Sequence, residues 1–169
     1  DSMEAMRTHH APWLEDFVRM LSAEHSDMMG RYRALGVLTS KLAASRASIE
    51  ESMKERFLDG LSSEVEASLR KRREDEMKAA LEAEYRRVRT DHLGAFQWWL
   101  RDLWLSAEKG SAHQVAFPSL GPEQLRWKPR ADRQALLANI ELLEDLQRTL
   151  LSNVQEALAL EVHLLKIQL

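Results

Sequence analysis

LLANIELLEDLQRTLLSNVQEALALEVHLLKIQL, residues 136–169, is the densest apolar stretch of the chain, and how it folds decides the rest. It divides into two helices at Ser152-Asn153. Asn153 is placed to cap the second helix, and Glu156, three residues on, to complete a capping box. At about 100° per residue, Val154, Leu158, Val162, Leu165 and Leu169 form one apolar stripe. Leu160, Leu164 and Ile167 form a second with Ala157, and Glu161 and Gln168 lie between the two. A helix on the outside of a bundle needs one such stripe. Two predict either a central helix or one that also meets another polypeptide.

The same pattern extends upstream. Glycine and proline are scarce and β-branched alternation is nearly absent, so the expected class is all-α, a helical bundle with one long charged helix and a C-terminal helix pair. Residues 1–11 are expected to be disordered or tag-derived, and 12–169 to form a single helical domain. Within it, 12–60 hold the N-terminal helices, 61–107 the long helix, 108–131 a loop and 132–169 the C-terminal pair. Pro12 suits the first turn of a helix ending near Ala23, with Trp13, Leu14, Phe17, Val18 and Leu21 on its apolar face. Ser26 offers a cap to the next helix, which carries Met28, Met29, Tyr32, Leu35, Leu38 and Leu42. That helix continues through Ile49, Met53 and Phe57 after an interruption around Ser45 to Ser48. Gly60 marks a break.

From Glu64 to Asp91 eight acids face eight bases over a narrow apolar seam. This is a long, solvated helix face. Beyond Leu93 the same helix turns apolar, with Phe96, Leu100, Leu103 and Trp104 on one side, Trp99 flanking them, and Trp98 and Leu105 on the other. Gly110, Pro118, Gly121, Pro122 and Pro129 then forbid a continuous helix, until Asp132 caps the next one.

With 169 residues, 30 % charged, a net charge of −3 and no cysteine, the chain fits one soluble, cytoplasmic domain without disulfides or thiolate metal sites. No apolar run is long enough to span a membrane, and the N-terminus lacks the basic and apolar regions of a secretion signal. It begins at Asp-Ser, as an excised fragment does. The histidines (9, 10, 25, 92, 113 and 163) include no pair at i, i+4 spacing and no Glu-x-x-His, so di-iron and zincin sites are not expected. His163 reads as an ordinary residue on the polar side of its helix, and His9-His10 as part of a disordered end. There is no phosphate loop, no Gly-x-Ser-x-Gly and no thiol nucleophile, so neither catalysis nor a cofactor is expected. Arg70-Lys71-Arg72-Arg73 is followed by Glu74-Asp75-Glu76 at i, i+4 spacing, which favours a self-paired helix face over a nucleic-acid patch.

The tryptophans carry the functional expectation. Leaving Trp98 in water forfeits roughly 2–3 kcal/mol of burial. Trp98 and Leu105, with Leu160, Leu164 and Ile167 from one stripe of the last helix, are therefore assigned to a subunit interface. A central helix enclosed by its own chain is the alternative.

The segment Phe96-Gln97-Trp98-Trp99-Leu100-Arg101-Asp102-Leu103-Trp104-Leu105, the helix Ile140 to Leu150, and then Asn153, Leu158-Ala159-Leu160-Glu161 and Leu164-Leu165 together resemble a known family. They look like the C-terminal domains of bacterial DNA polymerase III clamp-loader subunits, the delta-prime subunit in particular. The resemblance covers Leu93 to Leu169, and similar helical patterns recur in the gamma/tau subunit. It implies a helical collar domain that assembles side by side with gamma/tau and delta in the ring that loads the sliding clamp onto primed DNA. The ATPase modules are not in these residues, so the resemblance implies no nucleotide binding and no direct nucleic-acid contact. The charged helix is longer than the family leads one to expect, and no functional residue is carried onto the first 90 positions. In isolation the fragment is expected to be able to form a homo-oligomer, and a self-associating helical or coiled-coil structural protein without a replication role is the alternative. A nucleic-acid module using Arg70 to Arg73 ranks third.

Overall fold

A computed structural model describes residues 2–22, 28–59, 66–107 and 115–169. They form α1 (Ser2–Leu21), α2 (Met28–Leu58), α3 (Ala67–Ser106), a 3-10 turn at Pro118–Leu120, α4 (Arg133–Thr149) and α5 (Glu156–Leu164). No strand occurs among the described residues, so the class is all-α. The expected caps at Ser26 and Gly60 lie outside the described residues, as do Gly110, His25 and His113.

Read from sequence as one domain, the chain divides instead into two compact units. The first comprises residues 1–39 and 92–169, the second 40–91. The division follows where large apolar side chains are concentrated. Trp13, Leu14, Phe17, Val18 and Leu21 of α1 are buried in the first unit, with Leu38 of α2 and Leu93, Phe96, Trp99, Leu100 and Leu103 of α3. Phe117, Leu120, Leu136, Leu143 and Leu146 complete this core with residues of α5. At about 1.5–3 kcal/mol per buried side chain, this unit holds most of the hydrophobic stabilisation.

In the second unit the latter part of α2 lies beside the first part of α3. Leu42 and Tyr85 are buried there. Arg46 pairs with Glu82 and lies 4.7 Å over the Tyr85 ring. Ile49, Met53, Phe57, Met77, Leu81 and Val88 are only half-buried, as a narrow seam dictates. α2 runs through Ser45 to Ser48 without the expected interruption, because serine inside a helix costs only about 0.5 kcal/mol.

The N-terminus is not a loose tail. α1 starts at Ser2, and Arg7 donates to the carbonyl oxygens of Ala116 (2.5 Å) and Val115 (2.9 Å). His10 is buried and accepts at Nδ1 from Trp13 Nε1 at 3.0 Å. The His9 and His92 rings meet His10 edge-on, at centroid distances of 4.7 and 5.0 Å. The contacts of Arg7 with Val115 and Ala116 and of His10 with His92 join residues far apart in the chain, which a local reading does not see. Pro12 consequently lies inside α1 rather than in its first turn, and the carbonyl of Thr8 loses its helical donor. Where α1 ends and α2 begins the backbones approach closely. A Cβ on Gly30 would lie 2.9 Å from the carbonyl oxygen of Met20, so only glycine fits.

The connection after α3 is fastened by Asp102. Its buried carboxylate accepts from the Ala116 N–H (2.9 Å) and the Phe117 N–H (2.8 Å). Trp99 Nε1 donates to the Leu120 carbonyl at 2.9 Å. Asp132 caps α4 as its position predicts, accepting from Ala135 N at 2.8 Å. The capping box does not form: α5 begins at Glu156 after Gln155, which makes no side-chain cap bond.

Candidate interaction surface

Of the two stripes on the last helix, the chain buries one. Leu160, Leu164 and Ile167 are 1–2 % exposed, joined by Ala159 and His163. They are enclosed by their own chain, and their assignment to a subunit interface is corrected accordingly. Polar fastenings decide the orientation. Asn139 of α4 donates to the Gln168 carbonyl at 2.6 Å and accepts from its N–H at 3.0 Å, closing a two-bond clamp. Arg31 of α2 donates to the Leu165 carbonyl at 3.1 Å.

His163 is likewise not on a polar face. Its Nδ1 lies 2.8 Å from the Ala159 carbonyl, which can only accept, so this nitrogen carries a proton. Nε2 faces the Asp145 carboxylate at 3.1 Å. That bond, followed by one from Arg148, holds the Asp145 carboxyl below its ordinary range.

The opposite stripe is left in water. Leu151, Val154, Leu158 and Val162 are exposed along the outside of α5 and the turn before it. Tyr32 of α2 donates to Glu161 at 3.1 Å, bringing a second apolar group against this stripe. Met28 and Met29 precede Tyr32 by four and three residues and share its helical face. Leu151 is 84 % exposed and the other six lie between 43 and 58 %. Seven large apolar side chains left this open on two elements joined by the Tyr32–Glu161 bond are more than the singly scattered surface hydrophobics of an ordinary monomer.

A second, smaller face lies between α3 and α4. Trp98 is 40 % exposed, as its position on the helix predicts, and Leu137 is exposed beside it. With Gly94, Trp104 and Ile140 they line a groove of about 420 Å³. Arg101 stacks 5.1 Å over Trp98, and Arg133 5.2 Å over Trp104. Gln97 closes one end, donating to Glu144 at 3.3 Å and accepting from Gln147 at 2.9 Å. Leu105, expected beside Trp98 in the interface, is half-buried and does not line this groove.

Among the described residues no three histidine, aspartate or glutamate side chains are disposed to hold a metal ion, and no helix is long and apolar enough to cross a membrane. A larger hollow of about 570 Å³ lies along the connection, lined mainly by apolar groups such as Leu103, Phe117, Pro122 and Leu136. Asp102 at its edge is committed to two backbone N–H groups. In the basic run Arg72 pairs with Glu76 at 3.1 Å, as the i, i+4 spacing predicts, and Arg73 reaches the same carboxylate at 3.8 Å.

Sequence reasoning found Trp98 and the existence of two stripes on α5. It missed the contribution of Met28, Met29 and Tyr32, whose i, i+3, i+4 spacing is the same as that of a core face. It also passed over Asp102, an acid in the middle of an apolar helix, which is a signal for a buried acceptor role. No family model matches the chain, and no curated protein or solved structure matches it.

Proposed function

We propose that this chain is an assembly domain, the collar-forming part of a clamp-loader subunit, which holds subunits together and leaves chemistry to other modules. The observation that carries this reading is the uncovered outer stripe of α5, continued by Met28, Met29 and Tyr32. An all-α unit that hides one stripe of its last helix and leaves the other in water is built to be covered by another polypeptide. The segment that resembles clamp-loader collars, Leu93 to Leu169, falls wholly within the first unit. The charged helix, longer than that family implies, belongs to the second unit together with the latter part of α2.

The partners in this reading are gamma/tau and delta. The test is to mix the chain with these subunits and follow co-elution on size exclusion. Stable co-elution, lost in Leu158→Glu while the helical circular dichroism is unchanged, is the expected result. If no loader subunit is retained, or Leu158→Glu binds as well as the parent, the reading fails. The coiled-coil alternative, with the charged helix as the active element, has less support. The seam of that helix is already partly covered by α2 of its own chain, as the Arg46, Glu82 and Tyr85 contacts record.

A further inference from the structure

We infer that the outer face of α5 and the start of α2 form a two-fold interface that pairs two copies of this chain when no other subunit occupies it. This rests on the same face being an assembly surface, and it commits to a second copy as the occupant.

Area is the first reason. Seven large apolar side chains, 43–84 % exposed, give each copy the apolar centre that a standard stable interface of roughly 800 Å² per partner is built around. The groove at Trp98 exposes only two large apolar side chains, Trp98 and Leu137. Charge is the second. A face that pairs with itself meets its own charges, so a single-sign patch would repel its copy. Here Leu151, Val154, Leu158 and Val162 bring no charge to the centre. Around them Glu161 is engaged by Tyr32, Arg31 is bonded to the Leu165 carbonyl, and Lys166 adds a further cation. Glu156 on α5 and Arg33, one turn beyond Met29, add one charge of each sign, so both signs are interspersed around the strip. Shape is the third, because a short straight helix with one exposed stripe can lie against its own two-fold image along its whole length.

The chain has no cysteine, which makes a clean test available. Sedimentation or light scattering of the purified protein should report twice the 19.5 kDa of one chain, returning to the single mass on dilution. Leu158→Glu should be monomeric with unchanged helical dichroism. Leu158→Cys, near the middle of the stripe, should oxidise to a covalent dimer, whereas Leu69→Cys, exposed in the second unit, should not. The inference is overturned if the protein is monomeric up to about 100 µM, if Leu158→Glu still dimerises, or if the product is a ladder of larger species. A monomer that co-elutes with loader subunits through Leu158 overturns the pairing and leaves the assembly role standing. A Leu158-dependent dimer that ignores loader subunits does the reverse.

Discussion

Replacing Asp102 tests the most consequential polar contact in the first unit. Its carboxylate is 6 % exposed and accepts two backbone N–H bonds, from Ala116 and Phe117, at 2.9 and 2.8 Å. Asp102→Ala leaves both donors buried without an acceptor, at about 1–3 kcal/mol each. Burial of the carboxylate is itself costly. It pushes the Asp102 pKa up, against the lowering effect of the two N–H bonds, so removing the charge recovers part of the loss. The net expectation is a destabilisation of about 2–4 kcal/mol. Asp102→Asn keeps one acceptor oxygen and turns a donor toward the other N–H, so it should cost about 1–3 kcal/mol.

All five tryptophans lie in the first unit, so urea unfolding followed by tryptophan fluorescence reads this unit alone. A carboxyl with a raised folded pKa takes up its proton at higher pH when folded than when unfolded. Asp102 therefore favours the folded state progressively as pH falls through that raised value, and the gap between wild type and Asp102→Asn should widen on acidification. A loss below about 0.5 kcal/mol for Asp102→Ala would refute the account, since surface substitutions reach that size. Equal losses for Ala and Asn at neutral pH would refute the role given to the second oxygen.

The two stripes of α5 make a matched pair of tests: Leu160→Ala should cost about 2–5 kcal/mol in the same assay, whereas Leu158→Ala should stay within about 0.5 kcal/mol for the monomer. Arg7→Ala removes two bonds to the connection, and a loss of about 1–3 kcal/mol is expected, where a disordered N-terminus would show none. Asp145, whose carboxyl His163 and then Arg148 hold below the ordinary carboxylate range, stabilises the fold above that range and loses the contribution as pH falls through its depressed value. Urea midpoints measured across that range should therefore fall less steeply with acid in Asp145→Asn than in the parent; parallel curves would sink the assignment.

Much of this protein was legible from local pattern. Helix and strand differ in apolar period, so the all-α class, the joint near Ser152, the Asp132 cap and the burial of Trp99 could all be read from spacing alone. Trp98 was placed on the outside by the same reasoning, because angular position on a helix is a property of the sequence.

What spacing cannot supply is the choice between two equivalent faces. Val154-Leu158-Val162 and Leu160-Leu164-Ile167 are comparably apolar, and periodicity ranks neither. The clamp of Asn139 on Gln168, the Arg31 bond to the Leu165 carbonyl and the His163–Asp145 contact turn the second face inward. Each joins residues far apart in the chain or on different helices. The same cause explains α1, whose first eleven residues look polar and dispensable until Arg7 finds the carbonyls of Val115 and Ala116, more than a hundred positions away. The sequence by itself determined which helices form and how much apolar surface they carry. Only the tertiary structure decided which of that surface is left in water, because that depends on bonds between groups that meet only after folding.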